Sequence, residues 1–218
     1  IKFLTAGESH GKGSLGIIDG IPSGLKIDED YIEKELSRRQ KGYGRGARMK
    51  IEQDRAEIYS GVRFGKTLGS PIGLILPNKD WGNWQKRMSL IPHNDSIKKV
   101  TLPRPGHADL AGVQKYNFSD VRNILERSSA RETAMRVALG TICKKLLKDV
   151  GIEVGSRVIQ IHTAKDTSSL VLDKTPEEIS MKADLSPVRC LNKKIENEII
   201  KIIDKAKKEG DSVGGIFE

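Results

Sequence analysis

Glu126-Arg127-Ser128-Ser129-Ala130-Arg131-Glu132-Thr133 is the stretch from which the fold can be read. Ser129 and Glu132 have the Ser-x-x-Glu spacing of a capping box, which satisfies free N–H groups at a helix start. Apolar residues then recur at helical spacing: Ala134, Val137, Ala138, Ile142 and Leu146. The pattern predicts a long helix over 130–149, preceded by a shorter one over 120–127. A helix start presents unpaired N–H groups and a partial positive charge. Arg127 and Arg131 beside it make a place suited to a phosphate or a carboxylate. The plainer alternative is a well-capped helix with solvated arginines.

Working outward, Phe3-Leu4-Thr5-Ala6 reads as a strand leading into Gly7-Glu8-Ser9-His10-Gly11, a histidine set between glycines. Ser14 to Ile21 reads as a second strand, ended by Pro22. Asp28 or Asp30 can cap a helix that runs to about Arg39. Residues 41–48 form a Gly- and Arg-rich loop, Met49 to Ser60 reads as a strand, and Pro71 to Pro77 as a short buried one. Residues 78–119 hold tryptophans, prolines and histidines without a regular period; a loop that long is usually functional. Val154 to His162 alternates as a strand does, with His162 an ordinary member of it. Thr175-Pro176-Glu177-Glu178 is a second capped helix start, residues 195–209 read as helix, and the chain is extended from Val213. Strands and helices do not alternate regularly, so the pattern predicts an α+β fold and not a doubly wound parallel sheet.

Two glycine motifs are set aside. Gly11-x-Gly13-x-x-Gly16 needs a helix opening after it to hold a dinucleotide, and Leu15-Gly16-Ile17-Ile18 reads as a strand. Gly65-Lys66-Thr67 lacks the first glycine of a phosphate loop, since Ser60 stands there.

Composition narrows the classes. The chain has 218 residues, 37% hydrophobic and 31% charged, with a net charge of +9. That is enough chain for a sizeable core. The longest apolar runs are too short to span a bilayer, so no membrane role is expected. Cys143 and Cys190 form no CxxC pair, and no metal-ligand spacing is present, so a reducing cytoplasm is the simplest compartment. The positive charge invites a nucleic-acid reading. Aromatic residues make up only 5% of the chain, however, and the arginines cluster among glycines, so a small polyanion is the better partner. A basic protein that binds phosphorylated ligands or nucleic acid without turnover is the alternative.

The Gly7–Gly11 and Glu126–Thr133 stretches together resemble signatures of the chorismate synthase family. The resemblance continues through Arg38-Arg39-Gln40-Lys41-Gly42-Tyr43-Gly44-Arg45-Gly46-Ala47-Arg48, then Arg104-Pro105-Gly106-His107-Ala108-Asp109, then Gly210-Asp211-Ser212-Val213-Gly214-Gly215. Five matches in order make it specific; Ser14 stands where the family usually has an apolar residue. The family continues past the position of Glu218 with a further signature. The expectation is thus one chorismate-synthase-type domain over 1–218, truncated on its C-terminal side. The resemblance implies a β-α-β sandwich, with a helical layer between antiparallel sheets, and a homotetramer.

It also implies a reaction. 5-Enolpyruvylshikimate 3-phosphate loses phosphate and a ring proton by anti-1,4-elimination, giving chorismate, and reduced FMN is required without net redox change. NADPH would enter only indirectly, to reduce the flavin. The substrate carries about four negative charges at neutral pH. Arginines suit such ligands because their planar fork binds oxyanions in two-pronged fashion. The resemblance places Arg127, Ser128 and Ser129 at the flavin. It places Arg39 and Arg45 at a nucleotide or anionic ligand, and their chemistry suits the substrate equally; Arg48 and Arg131 are further anion-binding candidates. His10 is expected to protonate the leaving phosphate and His107 to help hold the flavin in its reactive charge state, although the two roles could be exchanged.

Overall fold

The computed structural model describes residues 1–44, 54–92, 96–128, 130–167 and 173–218. Of the strand expected over Met49 to Ser60, residues 49–53 lie outside the described residues, and in the rest the strand is only Glu57–Ser60. The chain divides into two compact units, Ile1–Leu36 with Asp54–Cys143, and Ser37–Gln53 with Lys144–Glu218. The class is α+β, with antiparallel sheets in both units. No described helix is long and apolar enough to cross a membrane.

The first unit is built on β1 (Lys2–Gly7), β2 (Gly13–Asp19), β3 (Glu57–Ser60) and β6 (Ile72–Pro77), in the antiparallel order β1-β2-β6-β3. A short hairpin of β4 (Val62–Arg63) and β5 (Lys66–Thr67) precedes β6. Period-two alternation decides the sheet's faces. Ser14 and Ile18 of β2 and Ile72, Leu74 and Leu76 of β6 are buried. Leu4, Leu15 and Ile17 on the other face are each at least half exposed.

Helix α5 (Ala130–Asp149) contributes Met135, Ala138, Leu139 and Ile142 to the core of this unit. Fully burying a side chain such as Met135 or Ile142 stabilises by about 1.5–3 kcal/mol. Gly16 lets this helix approach: a Cβ there would strike the Met135 Sδ and the Leu139 side chain. The glycine series that mimicked a dinucleotide motif therefore serves close packing in a strand. Helix α1 (Glu29–Gln40) starts with Asp28, whose Oδ1 accepts the Tyr31 N–H at 2.8 Å, and it buries Ile32 and Leu36.

Residues 78–119 are not free of helix. They contain α2 (Trp81–Trp84) and α3 (Asp109–Tyr116), followed by α4 (Arg122–Leu125). Helix α3 escapes a periodicity search because Leu110, Tyr116 and most of its other residues are exposed, leaving no apolar stripe.

In the second unit β7 (Val158–Ile161), β8 (Ala164–Lys165) and β9 (Gly215–Phe217) form an antiparallel sheet in the order β8-β7-β9. Helices α6 (Pro176–Ala183) and α7 (Lys193–Glu209) complete the unit. The Thr175 cap forms as expected, its hydroxyl accepting the Glu178 N–H, and the Glu178 side chain closes a capping box by accepting the Thr175 N–H. Asn192 caps α7. Ala164, Cys190 and Ile199 form the core with Ile161, Ile195 and Ile202 around them. The strand expected over Val154 to His162 is only Val158–Ile161. Val154 is half exposed, and His162 sits in the turn to β8 with φ 51°, so it is a turn residue and not a strand residue.

Candidate functional site

The loop between β1 and β2 carries His10, and its backbone is fastened at both ends. The Ser9 N–H donates to the Glu126 carbonyl at 2.9 Å. On the far side the Asn78 side chain donates to the Gly11 carbonyl at 2.8 Å, and the Asn78 N–H to that of Lys12 at 2.9 Å. Asn78 is buried, so these bonds are shielded from competing water.

Glu126 is the hub. It follows α4, and its side chain is 1% exposed. Its Oε2 accepts the His10 N–H at 2.8 Å. The His10 Nδ1 lies 2.9 Å from Oε1 and 2.8 Å from Oε2. Arg122 donates from Nη1 to Oε1 at 3.2 Å. The imidazole then stacks on Trp84, with ring centroids 3.7 Å apart at 29°. Trp84 is tied in turn by its indole N–H to Asp80 at 2.8 Å, and the Arg87 and Arg122 guanidiniums each lie 5.5 Å from its ring centroid. Lys86, Arg87, Lys98, Lys99 and Arg122 line an open cleft of about 740 Å³ in the same region. Among the described residues, the buried Nε of Arg122 has no hydrogen-bond partner.

Arg127 and Glu132 close the start of α5 onto β1. Arg127 donates to the Thr5 carbonyl at 2.9 Å and to Glu132, while the Thr5 hydroxyl donates to Glu132 at 2.7 Å. Burial alone would push the Glu132 carboxyl up, but the bonds from Arg127 and Thr5 outweigh it and hold it below its ordinary range. Glu132 thus works as the bolt between helix and strand; its expected box partner, Ser129, lies outside the described residues. Ser128 is exposed.

Arg131 is buried. It donates from Nη2 to the Pro77 carbonyl at 3.0 Å, and its Nη1 lies 3.6 Å from Asp54, a carboxylate 4% exposed. His107 is exposed and sits on a turn ahead of α3. The turn is held by Arg104, which grips the buried Asp109, and by Gly106 with φ 71°. The Arg104 guanidinium keeps the Asp109 carboxyl at about 2.

Of the residues singled out in the sequence, the first unit holds His10, His107, Arg127, Ser128 and Arg131, and Arg39 lies in the last turn of α1, in the second unit. Arg45, Arg48 and Ser129 lie outside the described residues. Sequence reasoning passed over Glu126, Arg122 and Trp84. Glu126 opens the stretch that decides the fold, yet its partner is 116 positions away, beyond the reach of any local pattern.

A family model for chorismate synthase matches residues 1–218. The chain is 51% identical over its whole length to a chorismate synthase of Chlorobium luteolum and 53% identical to one of Alkaliphilus metalliredigens, covering 56% of each relative. A solved structure titled as the crystal structure of chorismate synthase superposes with a TM-score of 0.76 at 43% identity, over 99% of this chain and 55% of that one. The chain thus spans a little over half the length of the relatives it matches.

Proposed function

The chain belongs to the chorismate synthase family, and we propose that it serves the elimination after which that family is named. In that reaction 5-enolpyruvylshikimate 3-phosphate loses phosphate and a ring proton by anti-1,4-elimination to give chorismate, with reduced FMN bound. The family match over residues 1–218 carries this reading.

His10 is assigned to the departing phosphate. With Nδ1 held by Glu126, the proton given to the phosphate oxygen comes from Nε2. The Trp84 face keeps the imidazole from tilting. Arg39, Arg45, Arg48 and Arg131 are assigned to the substrate's carboxylates and phosphate, a ligand of about four negative charges. A charge-assisted hydrogen bond contributes on the order of 1.5–3 kcal/mol, so a few arginines hold such a ligand firmly.

The donor set also fits a flavin mononucleotide. The cationic cleft suits its phosphate, and the buried Arg122 Nε is a donor left over for an anion. Arg127, Ser128 and Ser129 are assigned to hold it, with His107 holding a proton for it. Bound reduced flavin supplies the electron density that eases loss of phosphate. NADPH takes part only in reducing it. A homotetramer is proposed with it, for which the exposed Leu4, Leu15 and Ile17 face is suited, since apolar patches of this kind mark protein contacts. The setting proposed is the cytoplasm.

Anaerobic phosphate release from the substrate, with reduced and oxidised FMN side by side, tests the reading. Release with reduced FMN alone is expected. Tight binding of phosphorylated ligands without release would favour the binding-protein alternative.

A further inference from the structure

We infer that Glu126 is a positioning residue that fixes the tautomer and orientation of His10. The inference rests on the role proposed above for His10. Three donors converge on one carboxylate: the His10 backbone N–H, the Arg122 guanidinium and His10 Nδ1. Each Glu126 oxygen already accepts from another donor, Oε2 from the backbone N–H and Oε1 from the guanidinium, so the side chain acts as acceptor toward Nδ1 as well. Nδ1 must then carry the proton it shares with Glu126.

This has a consequence for chemistry. A neutral imidazole has one N–H, and if Nδ1 holds it, proton exchange is confined to Nε2. The same carboxylate grips the backbone N–H of His10, so ring and main chain are oriented by one rigid group. Rigidity follows from burial: Glu126 is 1% exposed against 15% for the histidine, and Arg122 holds its Oε1 from the other side. Trp84 closes one face of the ring at 3.7 Å. The imidazole is therefore confined at its face and at Nδ1 together. The arrangement has the logic of an acid–base histidine held by a buried carboxylate, in which the carboxylate sets geometry and tautomer and takes no proton itself.

A purely structural Glu126 would anchor the loop but leave the tautomer to chance. Glu126→Gln separates the two. It keeps the shape but offers one oxygen to three donors, so its amide must face a donor, and a Gln NH2 turned to Nδ1 stabilises the opposite tautomer.

The test uses the full-length protein with 15N-labelled histidine, His10 being assigned by its loss in His10→Gln. With the ring in its neutral form, identified from its own 15N shifts, wild type is expected to show a protonated Nδ1. Glu126→Gln is expected to shift the ring toward protonated Nε2 and to lower kcat roughly 10- to 100-fold with KM little changed, the range seen when outer-shell partners are removed. Glu126→Asp, which keeps the charge, is expected to recover part of kcat and the Nδ1 proton. A neutral wild-type ring with its single proton on Nε2 overturns the inference whether or not any variant folds. So does a folded Glu126→Gln with unchanged kcat and tautomer. Failure of the functional reading would look different: wild type would then release no phosphate, while its His10 tautomer would still be read directly.

Discussion

Arg104 grips Asp109 with two parallel hydrogen bonds, Nε to Oδ2 at 2.9 Å and Nη2 to Oδ1 at 3.0 Å, and the turn between them carries His107. Asp109 is fully buried, while Arg104 is 37% exposed. The pair closes a six-residue clip, 104–109, that leaves the histidine at the surface.

The clip makes a prediction about acid stability. The Asp109 carboxyl is lowered from 3.8 to about 2, chiefly by the Arg104 hydrogen bonds. A depressed carboxyl stabilises the fold above its unfolded value and loses that contribution as pH falls through its folded value. The contribution is thus complete above about pH 4 and fades toward pH 2. With solvent screening at the exposed arginine it amounts to about 1 kcal/mol. Urea melts of wild type and Asp109→Asn are expected to differ at pH 7 and to converge as pH falls toward 2.

Arg131→Ala leaves Asp54 as a buried carboxylate stripped of its arginine. Removing one member of a buried pair costs about 3–5 kcal/mol. A large drop in the urea midpoint is expected, with Arg131→Met and Asp54→Leu together recovering much of it. An Arg131→Ala protein as stable as wild type would mean that the pair does not hold this part of the unit.

Gly16→Val adds a Cβ that would lie 3.0 Å from Leu139 Cδ1 and closer still to the Met135 Sδ, with two further methyl groups to accommodate. Overpacking of this kind costs about 1–3 kcal/mol. Combining it with Met135→Ala is expected to return part of the loss, which thermal unfolding of the two variants measures.

Asn192→Ala removes the side chain that accepts the Lys194 and Ile195 N–H groups at the start of α7. A loss of about 1 kcal/mol is expected. It should appear as faster amide exchange in the first turn of α7, with α1 unaffected.

Local repetition is what made parts of this fold readable. Ala134, Ala138 and Ile142 recur every four residues and are buried, so α5 was visible in the sequence at its observed bounds. Ser14, Gly16 and Ile18 alternate with exposed residues, so β2 was visible too. Helix α3 was hidden because its structure rests on one polar clip, not on an apolar stripe. Val154 misled for the opposite reason: it alternates but stays exposed, and sheet pairing begins only at Val158. At the site, the histidines and arginines stood out by their motif context. Glu126 did not, because what it does depends on a loop 116 residues earlier. Arg127 and Glu132 carry a second meaning that no motif announces, since both are bonded to Thr5.

The most direct test of the account is anaerobic phosphate release by His10→Asn with reduced FMN, measured beside wild type and with flavin binding followed in the same samples. The account predicts that wild type releases phosphate while His10→Asn binds flavin and loses turnover by at least about 100-fold, the lower range for removal of a general acid. Release at the wild-type rate from His10→Asn would contradict it.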